Sequence, residues 1–355
     1  MNVFKQLKCD VLIIGAGPAG STAARLAAQK GCSVILLERR TQIGLPVRCA
    51  EYVPFPVSRY LDLNCPGLTV QTVHAMQTVI SGQSITETAV PGAIINRDRF
   101  DQGLADLAVQ AGASIKTGHQ AITFKDNQVV ARGDKGAVGI HCRVIIGADG
   151  PTSQVGRWMG CGQKEFLLAA QYRVLLNKPL DHTRIYFQPD IKGGYGWLFP
   201  KGDRANLGLG LDPACKEDLK PLLNRFKQDL IAEGLIGQEI LGQGGGLVPV
   251  VGLTVLHRDN MILAGDAAGT CHPITGAGVG NALISGELAG IAAAEAVRHG
   301  NHQPLQDYSK ELIGLLGHSL THGVKKRKAM LAEWDNMDFS ENIRRSWIAF
   351  REYFR

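Results

Sequence analysis

Two short apolar runs, Cys9 to Ile14 and Ser33 to Leu37, bracket the turn Gly15-Ala16-Gly17-Pro18-Ala19-Gly20 and a helix-like stretch from about Ala19 to Lys30. Strand, glycine turn, helix and strand in that order predict a parallel βαβ unit, which commits the chain to an α/β fold. Each glycine has its own reason. Gly15 permits the tight turn, Gly17 lets the main chain touch a pyrophosphate, and Gly20 lets helix and strand pack closely. Pro18 and Ala19 open the helix, whose free N–H groups and positive end attract phosphate. Glu38 closes the second strand 18 residues after Gly20. There its carboxylate accepts hydrogen bonds from ribose hydroxyls and disfavours a 2′-phosphate, which selects FAD or NAD over NADP, with Arg39 beside it at the same site.

At 355 residues the chain is long enough for about two domains. Glycine supplies 43 of them, well above the usual ~7%. It clusters between apolar runs, as expected where backbone approaches something closely. The eight cysteines contain no Cys-x-x-Cys pair, which argues against zinc and disulfide frameworks and points to a reducing, cytoplasmic location without a metal site. The N-terminus enters a strand-like run too early for a secretory signal. The longest apolar segment, Ala277 to Val297, carries Glu287 and Glu295, so no membrane span is expected. The net charge is +6, and from Thr321 onward eight Lys or Arg stand against five acids, a surplus of three. This suits a basic surface meeting an anionic partner or membrane, and equally a solvated helical tail. No nucleic-acid recognition motif accompanies the charge.

Three separated pieces need a common explanation: the turn at 15 to 20, Ile145-Ile146-Gly147-Ala148-Asp149-Gly150, and Met261-Ile262-Leu263-Ala264-Gly265-Asp266-Ala267-Ala268-Gly269. Together they resemble the FAD fingerprints of the p-hydroxybenzoate hydroxylase-like flavoproteins, and the resemblance covers most of the chain. It implies a Rossmann-like FAD-binding domain with a mixed β-sheet substrate domain. It also implies that Asp149 and Gly265-Asp266 hold the cofactor, Asp266 on the ribityl or ribose hydroxyls. The loop from His272 to Gly280, with Gly276, Ala277, Gly278 and Val279, would run beneath the isoalloxazine and turn its N–H groups to the N1–C2=O edge. Arg99 resembles the family's arginine that reaches the FAD phosphates or flanks the flavin, and Arg48 sits in the loop after the second strand. No second glycine fingerprint is present, so the reductant, NAD(P)H or a protein electron carrier, is expected to bind transiently.

The run Gly193-Gly194-Tyr195-Gly196-Trp197-Leu198-Phe199-Pro200-Lys201 followed by Ala205-Asn206-Leu207-Gly208-Leu209-Gly210, and the earlier Pro46-Val47-Arg48-Cys49-Ala50-Glu51, resemble two signatures of the geranylgeranyl reductases. Alternation along a strand projects Tyr195, Trp197 and Phe199 to one face, which fits an apolar tunnel for a polyprenyl chain and also a plain core strand. In the resembling reductases the cysteine lies near the flavin, which implies that the Cys49 thiol protonates the carbon not receiving hydride. The alternative is a small buried apolar residue. His272 and Tyr52 are further proton-donor candidates.

The division implied is a discontinuous FAD-binding domain over 1–70, 95–165 and 255–300, a substrate sheet over 71–94 and 166–254, and a helical segment over 301–355. In that last segment Ile343, Trp347, Phe350 and Phe354 make one helical stripe flanked by arginines, the composition of an interfacial helix or of a packed one. The activity implied is reduction of an isoprenoid C=C bond by hydride from reduced FAD, with Cys49, Tyr195 and Trp197 at the reacting centre. Two alternatives keep the fold: a monooxygenase hydroxylating an aromatic small molecule or a protein side chain, and a non-enzymatic flavin-binding factor.

Overall fold

Strand Lys5–Ile14, helix Pro18–Gln29 and strand Val34–Leu37 form the expected βαβ unit in the computed structural model, which describes residues 5–62, 65–134, 136–162, 165–215 and 218–355. The parts of the expected domain segments at 1–4, 63–64, 135, 163–164 and 216–217 lie outside the described residues. Met261–Leu263, Gly136–Gly147, Lys5–Ile14, Val34–Leu37 and Ser114–Lys116 lie side by side as parallel strands of one sheet. The first three of them run into the glycine pieces at Gly265, Gly147 and Gly15, so the three sequence motifs meet at the C-terminal ends of neighbouring strands. The hairpin expected about Asp126-Asn127 is present as Gln120–Lys125 and Gln128–Gly133. Both tip residues have positive φ, 51° and 55°, as a two-residue type I′ connection requires.

The second sheet has the spatial order Ile236–Pro249, Phe166–Leu176, Arg204–Leu211, Tyr195–Lys201, His182–Phe187, Thr69–Ile80, Gln83–Ile95, Tyr52–Pro54. Its pairs are antiparallel except His182–Phe187 against Thr69–Ile80. Tyr52–Pro54 falls inside the 1–70 segment yet pairs with Gln83–Ile95, so the chain crosses between the sheets at Cys49 to Glu51. Helix Leu219–Ala232 covers the outer face with Leu222, Leu223, Phe226 and Leu230. Gly196 makes that contact possible, because a Cβ there would stand 2.7 Å from the Phe226 ring. The intervening residues Tyr195, Trp197 and Phe199 therefore face the other way, toward the first sheet.

The C-terminal stripe differs from its expected form. Helix Phe339–Ser346 stops before Trp347, which is extended (φ −108°, ψ 133°), and a separate short turn of helix follows at Arg351–Phe354. Ile343, Trp347 and Phe350 are buried in one cluster with Ile185, Phe187, Ile274, Met330 and Trp334, while Phe354 is 71% exposed. Packing against the second sheet thus uses most of the apolar stripe. Among the described residues no helix is long and apolar enough to cross a membrane.

Candidate functional site

One cavity of about 790 Å³ lies between the two sheets. Gly15, Gly17, Pro18, Ala19, Glu38, Arg39, Arg48, Cys49, Asp149, Gly265, Asp266, Gly276, Ala277, Gly278 and Val279 line it, and so do Tyr195 and Trp197. Gly20 is turned inward instead: a Cβ there would stand 1.8 Å from the Gly15 carbonyl oxygen, so its role is helix-to-turn packing. Arg99 is exposed and outside the lining, whereas Arg97 is in it. Two residues along a helix rotate a side chain by about 200°, which places the two arginines on opposite faces of helix Arg97–Gln110.

At the fingerprint end, the Glu38 carboxylate accepts from the Ala16 and Arg40 amides at 3.0 and 2.9 Å, which fixes it beside the helix N-terminus. A Cβ at Gly17 would meet nothing within 4 Å, so the first turn of helix Pro18–Gln29 opens onto free space. Asp149 lines the same cavity with its oxygens already engaged, by Ser153 Oγ (2.5 Å) and by the Gln154 and Val155 amides (2.6 and 3.3 Å). Burial raises its carboxyl while those hydrogen bonds oppose the shift. Asp266, next to Gly278, is likewise raised by burial, with Arg97 opposing.

The loop before helix Val279–His299 is held from both sides. Tyr195 donates its hydroxyl to the Thr275 carbonyl at 2.5 Å, so this phenol, pushed up by burial, locks the loop and has its proton committed. His272 Nδ1 accepts from the Ile274 and Thr275 amides, both at 3.3 Å. Burial, helped by the like charge of His322, lowers its pKa to about 4, so the ring is neutral at pH 7 with its proton on Nε2. A histidine depressed from the ordinary value of about 6.5 resists protonation when folded but not when unfolded. Its stabilising contribution is therefore complete above about pH 6.5 and is lost as pH falls toward about 4, by about 2 kcal/mol after allowance for partial exposure. Urea midpoints measured across that window should fall for the wild type and lose that component of the slope in His272→Gln.

Where the chain crosses between the sheets, the Glu51 amide donates to Cys49 Sγ at 3.2 Å, and Gln171 Nε2 donates to the Cys49 carbonyl at 2.9 Å. The Arg97 guanidinium lies near the same thiol, and its Nε donates to Asp101 at 2.8 Å. Trp197 lies over Gly208, where a Cβ would stand 2.3 Å from the indole, and its buried Nε1 has no partner among the described residues. Phe199 packs edge-on against Tyr52 at 6.3 Å. Sequence reasoning gave no role to Arg97, nor to Glu51, Lys201 and Asn206, although these three stand within the two reductase signatures. The available signal was charge in otherwise apolar surroundings: Glu51 follows Cys49-Ala50, and Lys201 and Asn206 flank the turn after the aromatic strand.

The family described as an NAD(P)-binding Rossmann-like domain matches residues 13–82. Digeranylgeranylglycerophospholipid reductase of Methanocella arvoryzae is 34% identical, across 92% of this chain and 88% of its own length. The protein of the same name from Thermoplasma acidophilum is 32% identical, across 93% and 89%. Among solved structures, a geranylgeranyl bacteriochlorophyll reductase-like protein from Thermoplasma acidophilum superposes with a TM-score of 0.86 at 27% identity, covering 98% of this chain and 92% of that one. The flavin-dependent halogenase CmlS shares the fold, with a TM-score of 0.75 at 19% identity, across 94% of this chain and 67% of its own.

Proposed function

The chain belongs to the digeranylgeranylglycerophospholipid reductase family of FAD-dependent oxidoreductases, and from that premise we propose that it reduces C=C bonds of an isoprenoid lipid chain held in the cavity between its two sheets. The observation that carries the reading is the continuity of that cavity, from the glycine turn and Glu38 to the aromatic strand Tyr195–Lys201. The residues present fit FAD: an open glycine turn at a helix N-terminus, a fixed carboxylate at Glu38, and a second carboxylate, Asp266, near the helix beginning at Val279. Bound there, reduced FAD supplies hydride.

The chain's own residues do the rest. Gly15, Gly17, Pro18 and Ala19 take the pyrophosphate and Glu38 a ribose, Arg39 and Arg48 flank them at the rim, and Asp149, Gly265 and Asp266 complete the cradle. Gly276, Ala277, Gly278 and Val279 would border the ring, with the Gly278 and Val279 amides turned to it, since those of Gly276 and Ala277 are engaged by the His272 carbonyl and Thr275 Oγ1 at 2.9 and 3.2 Å; Arg97 takes the place expected of Arg99. An isolated alkene is a poor hydride acceptor, so the double bond must be positioned, kept dry and protonated in concert. Tyr195 and Trp197 supply the apolar wall, and Cys49 carries the proton, its sulfur placed by the Glu51 amide. The reductant, NAD(P)H or a protein carrier, binds transiently. The test is anaerobic: reduce the purified holoenzyme with dithionite, add a geranylgeranyl-bearing lipid, and follow flavin reoxidation with product mass. Reoxidation with a gain of about two mass units per double bond, the mass of the hydride and proton added, supports the reading. A flavin that stays reduced until O₂ is admitted sinks it in favour of oxygenase chemistry.

A further inference from the structure

We propose that Trp347 is the end wall of the substrate compartment and limits the length of isoprenoid chain the cavity accepts, an inference that rests on the isoprenoid reading above. Of the residues beyond Ala282, those lining the main cavity are Trp347 and Ile348. The helix ends at Ser346, and the extended backbone at Trp347 turns the indole inward, leaving it 2% exposed. The ring stands 5.4 Å from Tyr195 and 5.1 Å from Phe187. Behind it lies a second void of about 10 Å³, walled by Phe187, Gly194, Ile274, Met330 and Ile343. Tyr195 and Trp347 border both spaces. These two residues therefore stand between the large compartment and the small void.

Two further observations fix what meets this wall. The indole Nε1 donates to Thr78 Oγ1 at 3.2 Å, so its polar atom is already satisfied and what remains for a ligand is hydrocarbon surface. That suits the methyl-branched tail of an isoprenoid, because a phosphate or glycerol group placed there would lose its hydration without compensation. The wall is also anchored on both sides. Asp338 caps the helix through the Glu341 amide at 2.9 Å, and Asn342 donates to the Met330 carbonyl at 3.0 Å. Beyond the tryptophan, His322 Nε2 lies 2.7 Å from the Tyr353 carbonyl. A side chain held this way sets a fixed limit, where a loose flap would yield to a longer ligand.

The test uses FAD-loaded enzyme and geraniol, farnesol and geranylgeraniol as probes, with binding read from the perturbation of the flavin absorption band. For the wild type, affinity should rise with chain length and then stop rising once the tail reaches Trp347. Trp347→Ala should move that limit to a longer chain, changing the ratio of long-chain to short-chain affinity by about tenfold. Trp347→Leu keeps more of the core filled and should shift the limit in the same direction, so a poorly folding alanine variant leaves the test intact; thermal unfolding reports which variants are folded. A variant profile that parallels the wild type, scaled by one common factor, overturns the proposal, and so does a wild type without a limit in this series. If geranylgeranyl lipid reoxidises the reduced wild-type flavin while the profiles stay parallel, the wall falls and the reductase reading stands. If neither lipid turnover nor alcohol binding is seen, both fall.

Discussion

Replacing Glu51 with leucine is expected to lower the stability of the protein by about 3–5 kcal/mol, because it strands a buried ammonium. The Glu51 side chain is 1% exposed and its partner Lys201 11% exposed, at 2.7 Å. The carboxylate also accepts from Asn206 Nδ2 at 2.9 Å and from the Arg97 amide at 3.0 Å. One residue thus ties the aromatic strand, its hairpin partner and the helix that carries Arg97 to the crossing between the sheets. Leucine satisfies none of these donors. Adding Lys201→Met should recover much of the loss, since replacing a whole buried pair costs far less than removing half of it. The backbone makes a second, separable prediction. Glu51 has φ 72°, a left-handed conformation that costs a residue with a Cβ about 1 kcal/mol and glycine almost nothing. Glu51→Gly should therefore be less destabilised than Glu51→Ala by about that amount, although both delete the same carboxylate. Urea unfolding of these single and double variants checks both points. Additive losses for Glu51→Leu and Lys201→Met would sink the first, and equal stability of the glycine and alanine variants the second.

The Glu51 position also explains what the sequence discloses and what it hides. Motifs set by local backbone geometry are legible: the turn at Gly15 to Gly20, the Gly265-Asp266 piece and the Asp126-Asn127 hairpin each impose a conformation that few other residues support. Strand Ile236–Pro249 is not, because Gly242 and Gly244 to Gly246 carry no side chains to alternate. The structure gives them a steric reason: a Cβ at Gly245 would stand 2.6 Å from the Ala169 carbonyl oxygen. The sequence points to Arg99 where Arg97 faces the cavity, since the choice depends on helix phase, and the phase is set by where the helix begins. The stripe Ile343, Trp347, Phe350 and Phe354 has helical spacing, but the second sheet offers Trp347 a tighter site against Phe187 and Tyr195 than a continued helix would. Tertiary packing overrides the local period there, as it also places Glu51 opposite Lys201, 150 residues away.

A glycine outside every fingerprint is expected to matter as much as those inside. Gly286 lies on helix Val279–His299, where a Cβ would stand 2.2 Å from the Ala19 carbonyl oxygen; one turn on, a Cβ at Gly290 would stand 2.5 Å from the Ala23 oxygen. In both cases the obstacle is backbone, which no rotamer change relieves, so the helices must separate. Gly286→Ala and Gly290→Ala should each cost about 3 kcal/mol or more. Their effects on the cofactor should differ. Ala19 lines the cavity at the first turn of the fingerprint helix, whereas Ala23 lies a turn deeper in the core. Gly286→Ala should therefore lose bound flavin on purification as well as melting temperature, and Gly290→Ala mainly melting temperature. Gly314 provides the contrast, in a helix where an added Cβ meets nothing within 4 Å. There alanine should stabilise by about 0.5–1 kcal/mol through helix propensity alone. Flavin-to-protein absorbance ratios and thermal melts on the three variants measure this directly. Equal flavin loss at Gly286 and Gly290 would mean that the seam acts on cofactor binding only through global stability, and unchanged melting temperatures at both would mean that the two helices do not meet as closely as 2.2 Å implies.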